Sequence, residues 1–178
     1  MKSVLVVLFD KFEELEAVAP IDILRRANFE VCVASLNGTN TVKGRSNIIL
    51  KTDAIAEQLD VENFDALVVA GGPGVYDNLE NDFLIKLVRK FHSGSKLVAA
   101  ICAAPLILDK AGILTTPAVA YPTAAKLLKN PNMVDRVAYG GNVVTSRGAG
   151  TAVDFALKIV EILESKELSK KIAESICF

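Results

Sequence analysis

Four short runs of this chain are apolar at nearly every position rather than at alternate ones. They are SVLVVLF (3–9), EVCVAS (30–35), ALVVA (66–70) and KLVAAI (96–101). A strand with one wet face alternates apolar and polar residues, whereas a strand covered on both faces does not. Such strands need cover on each side. Longer amphipathic stretches at 13–27, 75–92, 103–111, 123–128 and 149–164, with a tail from Lys166, supply it as helices. Shorter strands are expected at 118–121, 134–138 and 143–145, and NTVKGRSNIILKTD reads as a hairpin turning at residues 43–46. Strands and helices that alternate in this way give an α/β fold: a flavodoxin-like, doubly wound sandwich, mostly parallel, with helices on both faces. Ligands of such sheets sit at the carboxyl ends of the strands. The loop after Phe9, the turn after Ala70 and the residue after Ile101 should therefore converge.

The 178 residues, 51% of them hydrophobic, suit one domain over 1–178 with a substantial core. No apolar run approaches the roughly 18 residues that suggest a membrane span. MKSVLVVLFDKFEELEAVAP starts as a secretory signal does, but its β-branched run stops at Asp10 and meets an acidic helix, so it reads as a first strand. Three cysteines without zinc-like spacing suit free thiols in a reducing, cytoplasmic compartment. A net charge of −1 offers no general attraction to nucleic acid or anionic membranes.

Cys102 stands where the strand in KLVAAICAAP meets a turn, between Ile101 and Ala103 with Ala100 and Ala104 beyond. A nucleophile elbow needs small neighbours of this kind to lift a reactive atom above the sheet. The N-terminus of the following helix would favour thiolate. A buried cysteine ending a strand fits the same residues. AGGPG (70–74) can bring backbone N–H groups close to an oxyanion, though it also fits an ordinary glycine-rich turn. TSRGAGT (145–151) carries the same two readings. In FEELEAVAP, Glu13 and Glu14 suit a helix dipole, and Pro20 interrupts or restarts the helix. Glu16 is placed to point inward, where a nearby thiolate would raise its pKa and leave a neutral acid. The single histidine, His92, ends the helix before the strand that delivers Cys102. A strand separates them by roughly 15–20 Å, so no Cys–His pair forms within one subunit.

With these residues assembled, the sequence resembles the ThiJ/PfpI superfamily, in the branch of the Parkinson-disease protein and its bacterial relatives. EELEAVAPIDILRRA, VVAGGPGVYDNL, AAICAAP and VVTSRGAGTAVDFALKIVE carry the likeness in order along essentially the whole chain. The resemblance implies that Cys102 is the reactive cysteine and Glu16 its protonated glutamate. Gly71 and Gly72, with Ala103 and Tyr121, would form the oxyanion and substrate-binding surface, the Cys102 amide also serving the oxyanion. It implies no cofactor or metal, and a homodimer with its sites near the interface. A self-complementary patch on PIDILRRA, with Ile21, Ile23 and Leu24 beside a pairing Asp22 and Arg26, is the expected contact, though the same apolar residues also fit a helix face turned to the sheet. Two departures matter. Tyr121 precedes Pro122 where many members have histidine, which removes a base from the site, and Ala149 stands where SRGPG is common. Ala103 after Cys102 excludes the protease-like Cys-His elbow, and no histidine follows His92 as an amidotransferase would need.

The resemblance implies a cofactor-free glyoxalase or deglycase. It would act through Cys102 on methylglyoxal, glyoxal or their early adducts, with small reactive carbonyls as partners. A non-enzymatic oxidative-stress sensor or redox-regulated chaperone using the same cysteine is the alternative.

Overall fold

A computed structural model describes residues 1–178. Its strands are β1 (Ser3–Leu8), β2 (Glu30–Ser35), β3 (Thr41–Lys43), β4 (Ile49–Lys51), β5 (Ala54–Ile55), β6 (Ala66–Val69), β7 (Leu97–Ile101), β8 (Val137–Gly140) and β9 (Val143–Ser146). Its helices are α1 (Glu14–Arg26), α2 (Gly74–Asp77), α3 (Asp82–Ser93), α4 (Pro105–Ala111), α5 (Pro122–Ala125), α6 (Ala152–Leu163) and α7 (Lys166–Ser175). Seven strands form one sheet in the order β5-β2-β1-β6-β7-β9-β8, parallel except for β8 against β9. The expected mostly parallel, flavodoxin-like α/β sandwich is what the chain forms.

Doubly apolar strands build two cores at once. Leu5 and Val7 of β1, with Phe9 just beyond, pack on the face covered by Leu84, Val88 and Phe91 of α3 and Ile107 of α4. Val4, Val6 and Leu8 turn to the face covered by Ala17 and Leu24 of α1 and Phe155, Ile159 and Val160 of α6. The same alternation runs through β6 and β7, so the inner strands carry no wet residue to expose.

Several boundaries differ from the sequence reading. Residues 75–92 make two helices, because the Asn78 amide donates to the Gly74 carbonyl and the Asn81 side chain caps α3 by accepting from Leu84 N–H. Residues 118–121 form only an isolated bridge, Ala118 to Pro131. The late strand expected at 134–138 lies at Val137–Gly140. Pro20 neither breaks nor restarts α1, which runs through it. The hairpin pairs Lys43 with Ile49, so its turn is five residues long and Asn47 takes the positive φ. Ile23 and Leu24, expected on a dimer face, are 2% and 0% exposed against the sheet. The exposed apolar residues of α1 are Leu15 and Val18. Asp22 and Arg26 do pair, at 2.8 Å.

Candidate active site

Four segments meet at the carboxyl ends of β1, β6, β7 and β9. The loop after β1 is joined to the glycine turn after β6 by Glu13 N–H donating to the Gly71 carbonyl at 3.0 Å. Cys102 follows β7 directly and has φ +67°, the left-handed region that non-glycine residues seldom enter. Both its backbone groups are held: its N–H donates to Ser146 O at 2.9 Å, and its carbonyl accepts from Tyr121 N–H at 2.8 Å. The strained conformation, of order 1–3 kcal/mol, is thus fixed by the neighbouring strand and loop. A sharp turn between two tied ends projects the sulfur over the sheet.

The N–H groups of Gly72 and Ala103 face the sulfur. Gly72 has φ +105°, which lets its amide turn inward there. The Cys102 amide is occupied by Ser146, so it does not serve an oxyanion as the sequence reading had it. The Gly71 amide faces the Glu16 carboxyl rather than the sulfur. Gly71 is required for space: a Cβ there would strike Glu16 Oε2 and come within 2.5 Å of the Cys102 Cβ.

Glu16 projects from the first turn of α1 and is 1% exposed. Burial pushes its carboxyl up from the ordinary 4.5 to about 7, against the pull of the Cys102 thiol and the Ala149 and Gly71 N–H groups. Its Oε2 has no hydrogen-bond partner. Burial, and then the charge of an ionised Glu16, push the Cys102 thiol up to about 12, while the Gly72 and Ala103 amides pull the other way. The expected dominance of a helix N-terminus is therefore reversed: α4 starts only at Pro105 and has seven residues. The two groups titrate as a pair. When Glu16 takes the proton its Coulombic penalty on sulfur vanishes, and the thiolate keeps two amide donors.

Glu13, Arg45, Pro73, Tyr76, Tyr121, Thr123 and Ala149 complete a pocket of about 250 Å³ around Cys102, Glu16, Gly72 and Ala103. The Tyr121 side chain is 49% exposed at its edge. His92 is elsewhere, its carbonyl accepting from Asn142 across the far ends of the strands. No group of three or more His, Cys, Asp or Glu side chains is arranged to hold a metal ion. A larger open groove, about 530 Å³, lies by Arg136, Asp154 and Phe178 and holds no cysteine.

Sequence reasoning missed three contributors. Ala149 was seen only as a departure from proline, yet the N–H that a proline lacks faces Glu16. Arg45 reaches the pocket because the hairpin folds over the loop after β1, and Thr123 because α5 follows the Tyr121 tether. Glu14, read as a dipole complement, is instead buried and accepts from Ser46 N–H at 2.6 Å.

Residues 2–162 match the DJ-1/PfpI family. The Drosophila melanogaster protein dj-1beta is 39% identical over 180 residues, covering 98% of this chain and 96% of that protein. The Caenorhabditis elegans glutathione-independent glyoxalase DJR-1.2 is 30% identical over 180 residues, covering 99% and 96%. A structure of oxidized Toxoplasma gondii DJ-1 superposes with a TM-score of 0.94 at 33% identity, over 100% of this chain and 99% of that one.

Proposed function

Because the chain belongs to the DJ-1/PfpI family, we propose that it is a cofactor-free glyoxalase that converts 2-oxoaldehydes such as methylglyoxal to 2-hydroxy acids through Cys102 and Glu16. The observation that carries this reading is the Cys102–Glu16 pair itself. A tethered, strained cysteine faces a buried carboxyl whose titration is raised to about 7, inside a pocket of small-molecule size. A related nematode protein bears the name glutathione-independent glyoxalase.

The reaction balances without an external oxidant. With the proton on Glu16, the Cys102 thiolate bonds to the aldehyde carbon. The resulting oxyanion, facing the Gly72 and Ala103 amides, takes the Glu16 proton to give a hemithioacetal. Ionised Glu16 then removes the hydrogen from that carbon, leaving an enediolate. The hydroxyl proton passes to the neighbouring oxygen, and Glu16 returns its proton to the former ketone carbon. One carbon has been oxidised to a thioester and the other reduced to an alcohol. Water, deprotonated by Glu16, cleaves the thioester and restores thiolate and protonated Glu16. No histidine is needed in this sequence of steps, which suits a site where Tyr121 stands before Pro122. Deglycation of early adducts would use the same first bond.

The test is lactate formed from methylglyoxal by the wild type and by Cys102→Ala, in protein free of other glyoxalases. Turnover abolished in the variant is expected, and equal turnover refutes the reading. A redox sensor is the second reading, and the half-open cysteine favours it. It gains if peroxide oxidises Cys102 ahead of exposed Cys177 while wild type makes no lactate.

A further inference from the structure

Arg45 is the one cationic side chain that lines the Cys102 pocket. It is exposed and has no carboxylate within ion-pair distance, unlike Arg25, Arg26 and Arg136. The other charged groups around the pocket are already engaged. Glu13 caps α1 by accepting from Glu16 N–H at 2.9 Å, and the Glu16 carboxyl faces the Cys102 thiol.

The position of Arg45 is built. Its own N–H donates to Phe12 O at 2.9 Å, and the Gly44 N–H donates to Ile48 O at 2.8 Å. Next to it, buried Glu14 accepts from Ser46 N–H. Gly44 lets this happen, since a Cβ there would run into the Glu14 carboxyl. Three ties therefore fix the turn on either side of Arg45 and hold the root of its side chain at the rim. Glu14 Oε1 accepts from that turn amide while its buried Oε2 has no partner, and the chain forms no ion pair between Glu14 and Arg45, so the guanidinium is not committed to a carboxylate of its own subunit.

We propose that Arg45 makes the outer end of the pocket a subsite for the carboxylate of an anionic 2-oxoaldehyde, whose aldehyde carbon then meets Cys102. The class meant is a 2-oxoaldehyde with a carboxylate a few carbons from the ketone. The pocket, about 250 Å³, is of the size that takes a small oxo acid. The guanidinium binds a carboxylate in a bidentate fork that lysine does not reproduce. The reaction is the isomerisation and hydration given above, so no co-reactant is added. This substrate class rests on the glyoxalase reading, but the subsite itself does not.

Two measurements separate these. The first uses iodoacetate and iodoacetamide, which alkylate the same sulfur and differ in charge. In Arg45→Gln the ratio of the iodoacetate rate to the iodoacetamide rate should fall roughly tenfold, the loss of one charge-assisted contact, with Arg45→Lys in between. An unchanged ratio, or equal falls in both rates, overturns the subsite. The second compares kcat/KM for 4,5-dioxovalerate and methylglyoxal. The ratio should favour the anionic substrate in the wild type and drop roughly tenfold in Arg45→Gln; a ratio that does not move overturns the substrate class. If the wild type turns over neither compound, the glyoxalase reading and the substrate class fall together, and the alkylation ratio still decides the subsite.

Discussion

Replacing Glu16 by Gln tests the site through stability as well as through rate. The carboxyl is raised from 4.5 to about 7 in the folded protein, chiefly by burial. On unfolding it returns to its ordinary range, so between those pH values the unfolded chain ionises while the folded one keeps its proton. The stabilisation from a protonated, buried Glu16 is complete below pH 4.5 and is lost as pH rises through 7. A shift of that size corresponds to about 3 kcal/mol, of which about 2.5 kcal/mol falls between pH 5 and pH 8. Glutamine does not titrate, so the variant should gain about 2.5 kcal/mol on the wild type between pH 5 and pH 8, about 1 M in urea midpoint. Urea unfolding of both proteins at the two pH values measures it. Turnover of methylglyoxal should fall by the roughly 10²–10⁴-fold typical of a lost general acid/base. A stability difference that is the same at both pH values would mean Glu16 is ionised like any surface carboxylate. An active Glu16→Gln enzyme would remove the proton shuttle.

Ala149→Pro deletes the N–H that now pulls the Glu16 carboxyl down, in a place where proline suits a first helical position. The pH midpoint of Cys102 alkylation should move above the wild-type value; a midpoint that stays or falls refutes the role given to that amide. A homodimer built on α1 would have to use the residues that helix leaves exposed, not Ile23 and Leu24. Leu15 and Val18 are exposed on α1, and Ile48 and Ile49 on the hairpin that Glu14 ties to that helix. Leu15→Asp with Ile49→Glu should yield a monomer by sedimentation at micromolar concentration, whereas an unchanged dimer puts the interface elsewhere and a monomeric wild type removes it.

The sheet was legible because its signal is local. Val4 to Leu8 are apolar in both registers, and only a position covered on two sides accommodates that. The elbow was legible for a similar reason, since Ala100, Ala103 and Ala104 report the crowding around Cys102 without any knowledge of what crowds it. Residues 75–92 misled because helix periodicity continues through Tyr76-Asp77-Asn78, and the two asparagine side chains that end one helix and cap the next compete for the backbone only once folded. Ile23 and Leu24 misled because an apolar stripe does not say whether it faces a sheet or a partner.

The electrostatics were the least legible part, and the reason is geometric. A helix N-terminus is visible in sequence and acts through fractional charge in one turn. Desolvation and a full charge on a neighbouring carboxylate are larger, and both depend on how Gly71, Cys102, Gly148 and Glu16 are brought together from four segments. A Cβ on Gly148 would lie 3.5 Å from Glu16 Oε1 and 4.0 Å from the Cys102 sulfur, so even the small residues of the late loop set how dry the pair is. The sequence pattern could therefore identify a cysteine and a carboxyl as partners. It could not say which of them holds the proton, because that depends on the burial of both. In the proposed reaction the reactive state is one in which Glu16 is neutral, so conditions that ionise Glu16 without moving its proton to substrate would hold sulfur in its least reactive form. A thiolate poised by helix dipole alone would lack that control. In the proposed reaction the proton that frees the sulfur is the one the next step would consume.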